Sequence, residues 1–195
     1  MIRVGLIGGI GSGKSFVAKL FHSPVFNADN EVKVLYKKNI ACFKKLKKKL
    51  PKFIKSFPIN KDELINAIKS NKKNLNKISK VVHPFVRKKL SDFLHRNRKC
   101  KIVVLDIPLL IENKLNKKKD VLIFVKSDKI KILKRLKQRP NYNKKILQNF
   151  KENQIILTKK LKLADYIVDN NFSPNIMKNK IKLLKKKILN ERNYS

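Results

Sequence analysis

The feature that most constrains the fold of this chain is the position of its glycines. The 195 residues include five glycines, and all five fall between Gly5 and Gly13. Residues 8–15 read GGIGSGKS, which fits the pattern G-x-x-x-x-G-K-[ST]. Chance would supply only about 0.002 such matches in a chain of this composition. Apolar residues 4–7 precede the segment and a helical pattern at residues 16–21 follows it. The sequence therefore predicts a strand, a tight glycine turn and a helix.

A glycine turn of this kind has a known use in phosphate binding. Its backbone N–H groups converge on a phosphate at the N-terminus of a helix, and a Cβ would clash at the backbone angles that the turn requires. Lys14 is predicted to reach the β- and γ-phosphates of a nucleotide, and the Ser15 hydroxyl a Mg²⁺ ion. A turn without a ligand is the alternative. The candidate ATP-binding residues here are Gly9, Ile10, Gly11, Ser12, Gly13, Lys14, Ser15 and Phe16.

Apolar runs and helical spacings alternate along the rest of the chain. Apolar runs predict strands at residues 25–28, 101–106, 121–125 and 165–169. Apolar residues at helical spacing predict helices at residues 128–138, 143–163 and 174–189, and several more between residues 30 and 97. Such alternation is typical of a parallel sheet covered by helices. We therefore expect one domain, residues 1–195, of three-layer α/β/α architecture, with a five-stranded parallel sheet and a helical insertion at residues 30–97.

The formal charge of +37 raises the question of a nucleic-acid partner. Lys supplies 43 of the 50 basic residues and Arg only seven. Arg is preferred for bidentate phosphate and base contacts, whereas Lys suits any solvated face. The lysine runs are also spread along the whole chain. The composition therefore favours a solvated surface over a selected footprint, and we expect no specific nucleic-acid partner.

Membrane and extracellular classes are not favoured by the sequence. The longest nearly apolar stretch, residues 102–111, contains Asp106 and is shorter than the roughly 20 residues of a membrane-spanning helix. The first predicted strand leaves no room for a cleavable presequence. Cys42 and Cys100 could form one bridge at most and lack metal-site spacing. We expect a cytoplasmic protein with reduced thiols and no membrane partner, either a monomer or a weak homo-oligomer.

A phosphate-binding loop alone does not distinguish a kinase from a GTPase or an ATPase motor. The guanine signature Asn-Lys-x-Asp does not occur, which disfavours a GTPase. A motor would normally need a larger chain and partner surfaces. An α/β domain of this length with a helical insertion has the size of a small-molecule kinase whose insertion binds the phosphate acceptor. A basic P-loop ATPase acting on nucleic acid stays open as the alternative.

Further distinctive segments follow the glycine loop along most of the chain. Together with GGIGSGKS, they are Ala28-Asp29, His83-Pro84, DIPLLIEN at residues 106–113, Lys134-Arg135 to Gln138-Arg139, Gln154 to Lys160 and ADYIVDN at residues 164–170. In these segments the sequence resembles the dephospho-CoA kinase family. The resemblance implies a P-loop nucleotide kinase core, a CoA-binding insertion and a lid at residues 137–160. It also implies transfer of the γ-phosphoryl group of ATP, with Mg²⁺, to the ribose 3′-hydroxyl of dephospho-CoA in the last step of CoA biosynthesis.

Several side chains are candidates for the chemistry of such a kinase. Asp29 and Asp106 end predicted strands, where α/β sheets bind ligands. Asp29 would accept or orient the proton of the acceptor hydroxyl, and Asp106 would hold a Mg²⁺-bound water. Arg135 and Arg139 lie four residues apart on a helix that Pro140 is predicted to end, and the resemblance makes them lid residues that neutralise the transferred phosphoryl group.

The resemblance also implies a set of substrate contacts. Asn170 would contact adenine and Lys160 would assist from the last lid helix. Relatives commonly have Asp-Ala-Asp where this chain has Asn27-Ala28-Asp29, so the second acid is present. The residues implied on the acceptor side are Asp29, His83, Arg87, Leu109, Leu110, Glu112 and Lys160.

Each of these assignments competes with a structural explanation. Asp29 could be the N-cap of a helix that begins near residue 30, and Asp106 could be a hydrogen-bonded acid before a proline turn. His83 could be structural, since Pro84 favours the first turn of a helix there. Lys160 is one of 43 lysines and could lie on an ordinary surface.

Overall fold

The computed structural model of the chain describes residues 1–138 and 155–193. The part of the predicted lid that includes Arg139 lies outside these residues. The described strands are β1 (Ile2–Ile7), β2 (Val25–Asn27), β3 (Ile102–Asp106), β4 (Val121–Lys126) and β5 (Tyr166–Asp169). The described helices are α1 (Lys14–Leu20), α2 (Ala28–Lys38), α3 (Ile40–Lys49), α4 (Lys61–Ser70), α5 (Lys73–Arg96), α6 (Lys129–Lys137), α7 (Leu157–Lys162) and α8 (Pro174–Asn193).

The five strands form one parallel sheet in the order β2-β3-β1-β4-β5. All five residues of β3 and the first five of β4 are buried, as expected for strands with neighbours on both sides. The parallel ladders place the carboxyl ends of β1, β3 and β4 at one edge of the sheet. The predicted five-stranded parallel sheet is confirmed, and the glycine turn follows its central strand.

One face of the sheet is covered by α1 and α8. Val17 and Phe21 of α1 and Met177 and Ile181 of α8 are almost fully buried against alternate residues of the strands. Ile188 extends this apolar stripe along α8, and burial of such a stripe is the main source of helix stability in a packed domain. The glycine turn is therefore fixed between a central strand and a well-packed helix.

The opposite face of β1 receives the loop that follows β3. A Cβ on Gly5 would lie 2.6 Å from Cδ2 of Leu110, so the glycine makes room for that leucine. Nearby, the Arg3 guanidinium lies 3.0 Å from a carboxylate oxygen of Asp120, and both side chains are buried. The same guanidinium donates to the carbonyl of Leu115 at 3.1 Å. These contacts hold the 109–120 segment against the sheet.

Residues Ala28–Arg96 form a second compact unit, while residues 1–27 and 97–195 form the first. In the second unit, α2, α3 and α4 all pack on α5. Cys42 and Leu46 are fully buried there, and burial raises the pKa of the Cys42 thiol. Both cysteines of the chain are free thiols, as the sequence predicts.

Several predicted boundaries differ from the structure. β2 ends at Asn27 and α2 starts at once with Ala28, so Asp29 lies in the first turn of the helix and is not its N-cap. The prediction that Pro84 opens a helix is wrong, because Pro84 lies inside the 24-residue α5. Buried Val82 and Val86 flank Pro84 on the packed side of α5, so burial on both sides outweighs the local cost of proline, about 3 kcal/mol.

No helix within residues 1–138 and 155–193 combines the length and the apolar character that crossing a membrane requires.

Candidate functional site

The glycine turn has the backbone conformation that its sequence predicts. Gly8, Gly11 and Gly13 have φ values of 139°, 81° and 87°, which side-chain-bearing residues rarely adopt. A Cβ on Gly8 would lie 2.6 Å from the carbonyl oxygen of Val125 at the end of β4. A Cβ on Gly11 would lie 2.9 Å from Ile132 of α6. Both conformation and space therefore require glycine at these positions.

Lys14 is the first residue of α1 and folds back over the turn. Its ammonium group donates to the carbonyl oxygen of Gly9 at 2.9 Å and to that of Gly8 at 3.2 Å. The adjacent Ser15 side chain is exposed at the start of the helix. A cation and a hydroxyl thus lie at the N-terminus of a helix, where backbone N–H groups and the helix dipole favour an anion.

The carbonyl of Ser12, inside the turn, is held by two side chains from the sheet. The Ser127 hydroxyl donates to it at 2.8 Å, and the Asn170 amide nitrogen donates to it at 2.9 Å. Asn170 is buried, and its other side-chain atom, Oδ1, accepts from the backbone N–H of Phe172 at 2.9 Å. The oxygen and the nitrogen of the Asn170 amide therefore both form hydrogen bonds with the backbone.

Arg135 is connected to the turn through an aromatic ring. The ring of Phe172 lies against Gly13, since a Cβ there would be 2.9 Å from one of its carbons. The Arg135 guanidinium stacks over the same ring, 4.3 Å from the ring centroid. Stacking of this kind holds an exposed guanidinium in place without neutralising its charge. Arg135 therefore adds positive charge close to the turn.

Asp106 ends β3, next in the sheet to the strand that leads into the turn. It is buried, and one of its oxygens, Oδ2, accepts from the side-chain amide of Asn27, its register partner on β2. In the described residues no three His, Cys, Asp or Glu side chains cluster as a complete metal site. The carboxylate of Asp106 and the hydroxyl of Ser15 are hard oxygen donors, which fit a Mg²⁺ that keeps waters and takes its remaining ligands from substrate phosphates.

Glu112 and Lys160 form a buried ion pair on the same unit. The Lys160 ammonium lies 2.7 Å from Oε1 of Glu112, with the two side chains 3% and 10% exposed. The same oxygen accepts from the backbone N–H of Ile155 at 3.0 Å. Oε2 of Glu112 is buried and has no hydrogen-bond partner among the described residues. Lys160 is therefore not an ordinary surface lysine.

Comparison with known proteins assigns the chain to a family. The family model described as dephospho-CoA kinase (CoaE) matches residues 2–175. A curated relative, dephospho-CoA kinase of Wolbachia pipientis wMel, is 32% identical over 184 residues, which cover 92% of this chain and 94% of the relative. The chain belongs to the dephospho-CoA kinase family. Members of this family are kinases that use ATP, so the phosphate loop is that of a phosphotransferase.

Two solved structures are similar to this fold. The crystal structure of TT1252 from Thermus thermophilus has a TM-score of 0.76 at 26% identity and covers 97% of both chains. Dephospho-CoA kinase from Campylobacter jejuni has a TM-score of 0.58 at 21% identity, and the match covers 95% of this chain and 96% of the Campylobacter jejuni chain. These likenesses agree with the P-loop kinase architecture predicted from the sequence.

The acceptor-side candidates Asp29, His83 and Arg87 lie in the second unit. Asp29 is exposed in the first turn of α2, two residues after the end of β2. His83 and Arg87 lie one turn apart on α5. Burial, and secondarily the charge of Arg87, lowers the pKa of His83, which favours a neutral imidazole at neutral pH. Their predicted contacts with an acceptor stay predictions.

The two predicted acceptor-side leucines lie in the loop that follows β3. Leu109 is half-buried with a φ of 57°, and Leu110 is buried at 2% exposure against the sheet at Gly5. Sequence reasoning missed Ser127 and Phe172, the two residues that connect β4 and Arg135 to the glycine turn. A single serine or phenylalanine after a strand carries no local pattern, so only the tertiary structure could reveal either of them.

Proposed function

We propose that this kinase transfers the γ-phosphoryl group of ATP to the ribose 3′-hydroxyl of dephospho-CoA, giving CoA and ADP. The observation that carries the proposal is the match of the family model over residues 2–175, around a glycine turn already shaped for phosphate. A basic ATPase acting on nucleic acid is not favoured by the comparisons.

The phosphate groups of ATP bind at the turn. The backbone N–H groups between Gly9 and Phe16 donate to phosphate oxygens, and the Lys14 ammonium exchanges the carbonyls of the turn for the β- and γ-phosphates. Ser15 and Asp106 would hold Mg²⁺ together with phosphate oxygens. When bound, the ion offsets the negative charge that accumulates on the phosphates during transfer.

In the transfer step, the acceptor 3′-oxygen forms a bond to the γ-phosphorus as the bond from that phosphorus to the bridging β–γ oxygen breaks, and ADP leaves. Asp29 orients the hydroxyl and takes its proton. Arg135, held on Phe172 near the turn, and Arg139 offset the charge on the moving phosphoryl group. Positioning and electrostatic stabilisation therefore supply most of the rate enhancement.

Both neutral and charged side chains bind the acceptor. A His83 that is neutral at neutral pH can donate or accept a hydrogen bond, while Arg87 next to it supplies a fixed positive charge for an acceptor phosphate. The remaining acceptor-side residues are Leu109, Leu110, Glu112 and Lys160.

The acceptor is tested by measuring ADP release with ATP and, in parallel reactions, dephospho-CoA, adenosine or single-stranded DNA. Turnover that requires dephospho-CoA supports the proposal. Turnover that is stimulated by DNA and falls steeply with salt would instead support the nucleic-acid ATPase.

The role of Asp29 is tested with Asp29→Asn against a matched control, Glu31→Gln. Both residues are acids in the first turn of α2, so both variants lose the same small helix-dipole stabilisation, about 0.3–1 kcal/mol. We expect kcat to fall by roughly 10²-fold or more only for Asp29→Asn, with little change in ATP affinity. Equal kcat values for the two variants would refute the role of Asp29 in proton transfer.

A further inference from the structure

The glycine turn is fixed from outside by residues to which the phosphate-loop pattern gives no role. Ser127 follows β4 directly and Asn170 follows β5 directly, on neighbouring strands whose last residues, Lys126 and Asp169, are register partners. Their side chains converge on one atom, the carbonyl oxygen of Ser12, at 2.8 and 2.9 Å. The ends of two strands thus hold a single peptide group.

The geometry of that peptide group determines what the two contacts do. In a trans peptide the carbonyl and the N–H of the following residue point in opposite directions. The carbonyl of Ser12 and the N–H of Gly13 belong to one trans peptide. Because Ser127 and Asn170 hold the carbonyl toward β4 and β5, the Gly13 N–H is held pointing away from these strands.

Other contacts limit how far this peptide can rotate. Asn170 is 3% exposed, and its Oδ1 is held by the N–H of Phe172. The amide nitrogen of Asn170 also fills the space beside Gly13, because a Cβ there would lie only 2.2 Å from it. The Asn170 amide is therefore fixed at both its oxygen and its nitrogen, and this fixes its hydrogen bond to the carbonyl of Ser12.

We propose that Ser127 and Asn170 are positioning residues of the phosphate loop, which aim the Gly13 N–H at the phosphate chain of ATP. The inference rests on the proposed function, since it presumes that this loop binds ATP for phosphoryl transfer. It differs from the role that the resemblance implies for Asn170, because a positioning residue acts on the phosphate and not on adenine. A donor that is oriented before the ligand binds loses less conformational entropy on binding.

The experiment compares binding of the phosphate chain with binding of the nucleoside. Displacement of a fluorescent ATP analogue is measured with inorganic tripolyphosphate and, separately, with adenosine. The variants are Ser127→Ala, which removes the hydroxyl, Ser127→Thr, which keeps it, and Asn170→Ala. Ser23→Ala is the matched control, because its hydroxyl also donates to a backbone carbonyl, that of Phe21 at 3.3 Å, away from the turn.

Because Ser127→Ala removes one hydrogen bond that orients the loop, we expect it to lower the affinity for tripolyphosphate about fivefold and to leave the affinity for adenosine unchanged. Ser127→Thr should restore most of this affinity, and Ser23→Ala should match the wild type. Asn170→Ala should show the same selectivity for tripolyphosphate. Unchanged tripolyphosphate affinity in Ser127→Ala, or a loss in Asn170→Ala that is confined to adenosine, would overturn the inference.

Failure of the proposed function gives a different result. ADP formation with dephospho-CoA is measured on the same wild-type preparation. In one outcome the wild type fails to turn over dephospho-CoA, while Ser127→Ala still lowers the affinity for tripolyphosphate and not that for adenosine. In that case dephospho-CoA is not the acceptor, and the positioning role of Ser127 and Asn170 stands.

Discussion

Replacing Gly13 with alanine tests whether the shape of the phosphate loop is fixed by sterics. Gly13 has a φ of 87°, a left-handed conformation that costs an alanine roughly 1–2 kcal/mol. The added Cβ would also lie 2.2 Å from the amide nitrogen of Asn170, which must move and weaken its bond to the buried carbonyl of Ser12. An unsatisfied buried group costs about 1–3 kcal/mol.

The two terms together give about 2–5 kcal/mol of lost stability for Gly13→Ala. Because the Ser127 hydroxyl still donates to the Ser12 carbonyl, we expect the lower part of this range, about 2–3 kcal/mol. For a domain of this size that loss lowers Tm by roughly 4–12 °C.

Gly9→Ala is the matched control in the same loop. A Cβ on Gly9 meets only Leu157, at 3.7 Å, which is ordinary van der Waals contact, and Gly9 does not have a left-handed φ. Alanine at an unstrained glycine position leaves stability equal or raises it by about 0.4–1 kcal/mol. Thermal unfolding of both variants without nucleotide measures the difference. Equal Tm values for Gly9→Ala and Gly13→Ala would refute the steric account of the loop.

Four further outcomes are expected. Lys160→Met leaves the buried carboxylate of Glu112 without its ion-pair partner and should lower the free energy of unfolding in urea by about 3–5 kcal/mol, whereas replacing both residues with apolar ones should restore much of that free energy. A loss below about 1 kcal/mol for Lys160→Met would contradict the burial of the pair. The pKa of His83 is lowered in the folded protein, so the unfolded state binds the proton more readily and the free energy of unfolding falls as the pH drops below the ordinary pKa of 6.5. His83→Gln should lose less stability than the wild type below that pH, and parallel curves of stability against pH for the two proteins would contradict the lowered pKa. Lys14→Ala should abolish turnover at near-normal Tm, and an active variant would remove the loop from the mechanism. Arg139→Lys should lower kcat more than it weakens ATP binding, because lysine lacks the bidentate guanidinium; an effect on KM alone would make Arg139 a ground-state contact.

The parallel sheet could be predicted because its signals are local. β3 and β4 are buried on both faces, so each appears in the sequence as an unbroken apolar run. The glycine turn is equally local, since its backbone angles select the residue type within a few positions. Predictions of this kind need no knowledge of distant residues.

Most of the errors and omissions depend on tertiary contacts, often between residues far apart in the chain. Pro84 was expected at a helix start, but the apolar stripe that continues through α5 keeps it inside the helix. Lys160 could not be distinguished from 42 other lysines until its partner Glu112 was located, 48 residues earlier in the chain. Ser127 contacts the turn across 115 residues of sequence. Tertiary contacts, and not local propensity, determine the roles of such residues.

The proposed function depends on dephospho-CoA being the phosphoryl acceptor. The most direct measurement is to incubate the wild-type chain with ATP, Mg²⁺ and dephospho-CoA and to determine, by mass spectrometry and phosphorus NMR, where the transferred phosphoryl group resides. We expect one added phosphoryl group per acceptor, on the ribose 3′-oxygen, with one ADP formed for each CoA. ADP that forms without a phosphorylated acceptor, or a phosphoryl group on any other atom, would contradict it.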